Sequence, residues 1–176
     1  MKILAILISN SSIGTNLRAI KQAIKDKKLK AKISVVISDN YKQLDKHQID
    51  YICLAGWKKI IPDSIIKAFP NRILNIHPGL IPDTLTGKVI NPDGTIGLWN
   101  RGKFTQAAIA NFLDKKATYA GSTVHFLSQE FDFGPVLARC FEKILIKDTV
   151  ELLYKRLKVK ENNIYVLSLM KLCNKK

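Results

Sequence analysis

The chain has 176 residues, 47% of them hydrophobic, which is enough to bury a core and excludes a disordered or fibrous polymer. Its net charge of +15 invites an anionic partner, but the lysines are scattered among many Ile and Asn residues and form no stripe interleaved with aromatics, which argues against a nucleic-acid interface. Cys53, Cys140 and Cys173 lie far apart, as do His47, His77 and His125, so neither metal-ligand spacing nor a disulfide framework is present, and no run reaches the ~18 apolar residues of a membrane span.

In chain order, KILAILIS (2–9) is a continuous apolar run of the kind found in a central parallel strand, and it reads as a strand rather than a leader. SNSSIGTN follows, and then a helix on which Leu17, Ile20, Ile24 and Leu29 fit one face. AKISVVIS (31–38) predicts a second strand and YICLAGW (51–57) a third; the dozen residues between them leave room for no more than a brief crossover. PDSIIKAF (62–69) reads as a short helix with Pro at its start, and RILNI (72–76) as the next strand. Residues 83–103, rich in Gly, Asn, Asp, Pro and Thr, predict a long loop of the kind that is usually functional. FTQAAIANFLDK predicts a helix, and STVHFL (122–127) and PVLARCFEKILI (135–146) two strands. A terminal helix capped by Asp148 or Thr149 presents Val150, Leu153, Leu157, Ile164, Leu167 and Leu172. This alternation predicts an α/β fold: a mostly parallel twisted sheet with helices on both faces and an antiparallel portion at the C-terminal end, in one domain spanning 1–176.

In such sheets ligands sit at the carboxyl ends of the strands. Side chains at i and i+2 of a strand share a face, so Asn75 and His77 project together where Pro78 ends the strand. An amide donor beside an imidazole suits an oxyanion on a polarised carbonyl; the same pair could equally tie down the following loop. In QEFDFGP (129–135), Asp132 lies before a Gly-Pro turn, where it either bonds its own backbone or reaches His77 and supports its cation. SNSSIGTN (9–16) either caps a helix or offers backbone N–H groups to a phosphate, with Gly14 allowing close approach. It is neither a G-x-G-x-x-G nor a Walker loop.

Together, SIGTNLRAI (12–20), CLAGWKKIIP (53–62), RILNIHPGLIP (72–82), GSTVHFLSQEFDFGPVLAR (121–139) and KENNIY (160–165) resemble the glycinamide ribonucleotide formyltransferase family and its formyltransferase fold. The resemblance implies cytoplasmic transfer of a formyl group from 10-formyltetrahydrofolate, as co-substrate, to the amine of glycinamide ribonucleotide in de novo purine synthesis. It implies Asn75, His77 and Asp132 as catalytic residues and no metal. It matches Gly14, Thr15 and Asn16 to a ribose-phosphate loop, Gly56 to a substrate-lining position and Glu161 to an acidic residue near the acceptor amine. It places Lys59, Ile60 and Ile61 on one folate wall, and Ser128, Gln129 and Glu130 on the other. Small molecules, not membranes or nucleic acids, are the partners it implies.

Two departures from that pattern stand out. Residues 39–50 replace a longer family segment, and 83–103 replace a shorter one. The expanded loop is expected to cover the active site and to provide substrate contacts that the shortened segment is too brief to make. Transfer to another amine, on a sugar nucleotide or an aminoacyl-tRNA, and a catalytically silent nucleotide- or RNA-binding relative are the alternatives.

Overall fold

A computed structural model of the chain describes residues 1–38, 44 and 48–175. Its elements run β1 (Lys2–Ile8), α1 (Thr15–Lys25), β2 (Ala31–Ser38), β3 (Tyr51–Leu54), α2 (Asp63–Ala68), β4 (Ile73–His77), α3 (Thr105–Asp114), β5 (Tyr119–Phe126), β6 (Val136–Lys143) and α4 (Val150–Cys173). His47 and most of the shortened 39–50 segment lie outside the described residues.

The six strands form one sheet in the order β2-β1-β3-β4-β5-β6. The first four are mutually parallel; β5 runs antiparallel to β4 and β6 antiparallel to β5. The mostly parallel sheet with an antiparallel C-terminal portion is therefore as expected. The apolar run of β1 is explained by burial on both faces. Leu4 and Ile6 pack with Ile20 and Ala23 of α1 and with Tyr165 and Leu169 of α4. Ala5 and Leu7 share the opposite core with Ile52 and Ile73, against which Ile65 and Ile66 of α2 pack. Each such fully buried Leu or Ile contributes roughly 1.5–3 kcal/mol.

Several boundaries differ from the sequence reading. The strand expected at 51–57 stops at Leu54 because the chain turns at Gly56, whose φ is +86°. The strand expected at 135–146 is Val136–Lys143. β4 reaches one residue beyond RILNI, so His77 is its final residue. Pro62 occupies the N-cap position of α2 rather than its first turn. Thr149 caps α4, its hydroxyl accepting from the Leu152 N–H at 3.2 Å. Of the apolar stripe expected on α4, Leu153 and Leu157 are fully buried and Val150, Ile164 and Leu172 pack against the core, whereas Leu167 is 52% exposed and Tyr165, Ser168 and Leu169 are buried in its stead. The inward face carries Glu161 and Ser168, polar residues that an apolar pattern passes over.

The long loop is not featureless. Ile90 and Ile96 form an antiparallel bridge, with Gly97 N–H donating to Val89 O at 2.8 Å and Asn91 N–H to Thr95 O at 2.8 Å. α4 is fastened to β6 by Arg156, whose Nε meets Glu142 at 2.9 Å and whose Nη2 meets Asp148 at 2.7 Å. Tyr165 joins α4 to the end of β3 and the first half of β4, its hydroxyl donating to Leu54 O at 3.2 Å and Leu74 O at 3.1 Å. All three cysteines are free and buried, and burial pushes their thiols up, away from the reactive thiolate. No described helix is long and apolar enough to cross a membrane.

Candidate active site

On β4, Leu74 packs toward α1 and α4 and Ile73 toward α2. The pleat therefore sends Asn75 and His77 to the α2 face, just beyond the edge of that core. Asp132 arrives from the turn after β5. Its φ is +49°, and Gly134 follows at +147°, where an added Cβ would lie 2.1 Å from Phe126 O. The turn is built so that the Asp132 carboxylate leaves its own loop. Oδ2 accepts the Gly102 N–H at 2.7 Å, and Oδ1 lies 3.6 Å from His77 Nδ1. That second separation is an ion-pair contact, longer than a hydrogen bond, and it leaves a proton on Nδ1 able to serve a third group. Burial pushes the Asp132 carboxyl up, but His77 and the Gly102 N–H outweigh burial and hold it below the ordinary aspartate value.

Asn75 is oriented by a residue that the sequence reading left among scattered histidines. His125 stands opposite Asn75 in the β4–β5 ladder, and its Nε2 lies 3.3 Å from Asn75 Nδ2. Its Nδ1 lies 3.0 Å from Phe126 O. A carbonyl can only accept, so Nδ1 carries the proton and Nε2 accepts from the Asn75 amide. Burial and the nearby His77 push the His125 pKa down to about 4, so the ring is neutral at pH 7. Asn75 thus presents Nδ2 with one N–H engaged and a second available. The signal was legible: STVHFL alternates, and His125 shares the parity of Thr123 on the face opposite Val124.

A second cluster occupies the α1/α4 face. Gly14, with φ +71°, is the N-cap of α1, and no side chain caps the first turn, which begins with Thr15 and Asn16. Asn16 is 2% exposed; its Nδ2 donates to Asn162 Oδ1 at 3.1 Å, and its Oδ1 accepts from Lys158 Nζ at 3.2 Å. Lys158 Nζ also donates to Glu161 Oε2 at 2.6 Å, and Ser122 Oγ donates to Glu161 Oε1 at 2.6 Å. Glu161 is therefore a buried carboxylate rather than a plain surface glutamate. Lys158 was not singled out in the sequence, although it precedes Glu161 by three residues and so shares its helix face. Gly56 belongs to the same neighbourhood, since an added Cβ would fall 2.0 Å from Ser12 Oγ.

Ser122 and Thr123, neighbours on β5, mark the division between the clusters. Ser122 faces Glu161, whereas Thr123 Oγ1 donates to Gly79 O at 2.7 Å and accepts the Ile81 N–H at 3.0 Å. Asn16 and Glu161 thus lie on one face of the sheet and Asn75, His77 and Asp132 on the other, both groups at the carboxyl edge of the parallel strands.

The two expected folate walls differ in character. Lys59 and Ile60 are exposed, Ile60 by 77%, whereas the Ile61 side chain is buried in the core, so only its backbone can face a ligand. The Ser128 hydroxyl donates into its own loop, to Phe133 O at 2.9 Å. Gln129 and Glu130 are exposed, and Glu130 pairs with Arg101. Among the described residues no group of three or more His, Cys, Asp and Glu could hold a metal ion.

Comparison with known proteins shows the family and the fold. The family model described as Formyl transferase matches residues 38–169. The chloroplastic phosphoribosylglycinamide formyltransferase of Arabidopsis thaliana is 37% identical over 133 residues, which are 76% of this chain and 41% of the relative. The phosphoribosylglycinamide formyltransferase of Bacillus subtilis is 29% identical over 70% of this chain and 53% of its own length. This chain thus spans about two-fifths to one-half of those relatives. A crystal structure of glycinamide ribonucleotide transformylase 1 from Symbiobacterium toebii superposes with a TM-score of 0.81 at 27% identity, covering 99% of this chain and 88% of that one.

Proposed function

Because the chain belongs to the formyl transferase family, we propose that it transfers a formyl group from 10-formyltetrahydrofolate to the amine of glycinamide ribonucleotide, a step of de novo purine biosynthesis, in the cytoplasm. The single observation that carries the reading is the approach of Asp132 to His77 at 3.6 Å, which brings a carboxylate from a distant turn to the Asn75–His77 pair of β4. The names of the relatives supply the acceptor.

The acceptor amine attacks the formyl carbon, and the carbonyl electron pair moves to oxygen. The second Nδ2–H of Asn75 and the Nδ1–H of protonated His77 stabilise that oxygen. Asp132, kept ionised, balances the imidazolium and takes the amine proton, directly or through a water. The C–N bond to the folate then breaks as Asp132 passes the proton it took, directly or through the same water, to the folate nitrogen, and tetrahydrofolate leaves. On the acceptor side, the uncapped first turn of α1 at Gly14, Thr15 and Asn16 receives the phosphate, with the Lys158 ammonium beside it. Glu161 faces the acceptor amine and Gly56 keeps the Ser12 loop close. The backbone of Lys59, Ile60 and Ile61 and the loop holding Ser128, Gln129 and Glu130 border the folate.

Incubation with 10-formyltetrahydrofolate and glycinamide ribonucleotide is expected to release tetrahydrofolate and formylated acceptor in equal amounts. Folded protein that binds the folate but forms no product with this acceptor would overturn the assignment.

A further inference from the structure

The stretch 98–102, at the end of the expanded loop, bonds to both halves of the His77–Asp132 pair. On the His77 side, Trp99 O lies 2.7 Å from His77 Nε2. Leu80 N–H donates to Leu98 O at 2.9 Å, and Asn100 Nδ2 donates to Pro78 O at 3.1 Å. The fit at Gly79 is close enough that an added Cβ would fall 1.8 Å from Trp99 O. On the Asp132 side, Trp99 Nε1 donates to Asp132 O at 3.0 Å, Gly102 N–H donates to Asp132 Oδ2 at 2.7 Å, and Arg101 Nε donates to Phe131 O at 3.0 Å. The Arg101 guanidinium also lies over the Trp99 ring, 5.2 Å from its centroid. Asn100, at φ +58°, is held from beneath, donating to Ala108 O at 3.2 Å and accepting from Asn111 Nδ2 at 2.7 Å.

Two consequences follow from elementary chemistry. A carbonyl at His77 Nε2 obliges that nitrogen to carry a hydrogen, so in the neutral ring the bare nitrogen is Nδ1, the atom facing Asp132. In addition, His77 and Asp132 meet only at ion-pair distance, whereas 98–102 makes normal hydrogen bonds to both, so the strap is a direct hydrogen-bonded connection between them.

We propose that residues 98–102 are a positioning strap, with Trp99 its central residue, which fixes the His77 tautomer and sets the His77–Asp132 separation. The proposal rests on the formyl-transfer reading for its kinetic consequence but not for its geometry. A group placed by its neighbours rather than by contact with substrate should affect the chemical step and spare binding.

Trp99→Phe keeps the carbonyl and the ring but removes the N–H to Asp132 O. Asn100→Gly tolerates the positive φ but removes the amide anchors to Pro78 O and Ala108 O. Trp99→Phe is expected to lower kcat about tenfold, the scale of one missing hydrogen bond, and Asn100→Gly, which loses more than one, at least as much, both with KM values unchanged. Nitrogen NMR of the His77 ring in the parent protein is expected to show Nε2 protonated and Nδ1 bare above its titration, and in Asn100→Gly a mixture of tautomers. A parent ring protonated at Nδ1 when neutral would overturn the strap whether or not formyl transfer is detected. In an active parent, unchanged kcat in both variants, or loss confined to KM, would overturn it with the formyl-transfer reading intact. A parent with the expected tautomer but no transfer would count against the formyl-transfer reading instead.

Discussion

His77→Asn is expected to lower kcat roughly 10²–10⁴-fold while folate affinity is retained, the range for removal of a positioned acid or oxyanion donor. Asn keeps a side-chain N–H within the volume of the imidazole but cannot carry the charge that Asp132 faces. The ring is 2% exposed at the end of β4, so its loss opens no broad surface. Asp132, which now accepts from the Gly102 N–H and sits 3.6 Å from the imidazole, loses its cationic partner. Its carboxyl then rises toward the ordinary aspartate value, because His77 is the largest influence lowering it. Steady-state kinetics paired with a folate binding titration separate the two quantities. A variant that binds folate less tightly yet turns over at the parental rate would show that His77 serves the loop and not the chemistry.

Acidification is expected to weaken the fold through His125, by an amount on the order of 3 kcal/mol once the pH is below both its unfolded and folded values. Its pKa drops from the ordinary 6.5 to about 4 because burial and His77 disfavour the cation, with Asp132 and the Phe126 carbonyl opposing them. Between those two values the unfolded chain holds a proton that the folded chain refuses. The contribution is therefore complete above pH about 6.5, and it fades as the pH falls through about 4. The functional consequence lies one bond away. A protonated Nε2 would donate where it now accepts, and the Asn75 amide, 3.3 Å distant, would have to turn its oxygen toward it. Urea unfolding at pH 7.5 and pH 5 is expected to show a much shallower loss of stability in His125→Gln, which cannot titrate, than in the parent. Equal pH slopes in the two proteins would show that His125 is not a neutral buried ring.

The sheet was legible because continuous apolar runs and short connections leave few ways to build it. β1, buried on both faces, could hardly be anything but a central strand. The amide and imidazole on β4 were legible from parity, and Asp132 from its turn. Their approach was not, because a contact across 55 positions depends on how two turns leave the sheet. The strap was hidden for a related reason: its contacts with the His77 ring and the Asp132 carboxylate come from the Trp99 carbonyl and the Gly102 N–H, backbone groups that carry no sequence signal. His125 and Lys158 were passed over because each works through a neighbour, one on the adjacent strand and one on the same helix. The polar position on the inward face of α4 has a physical cause as well: Glu161 is admitted to the interior because Ser122 and Lys158 satisfy its oxygens.

The proposed formyl transfer requires His77 and Asp132 to act as one unit against charge on the formyl oxygen. A double-mutant cycle of His77→Asn and Asp132→Asn, read by single-turnover formyl transfer, measures that coupling. The account predicts a double variant about as slow as the slower single one, since either change alone disables the pair. Losses that multiply would mean two independent residues that merely lie near each other.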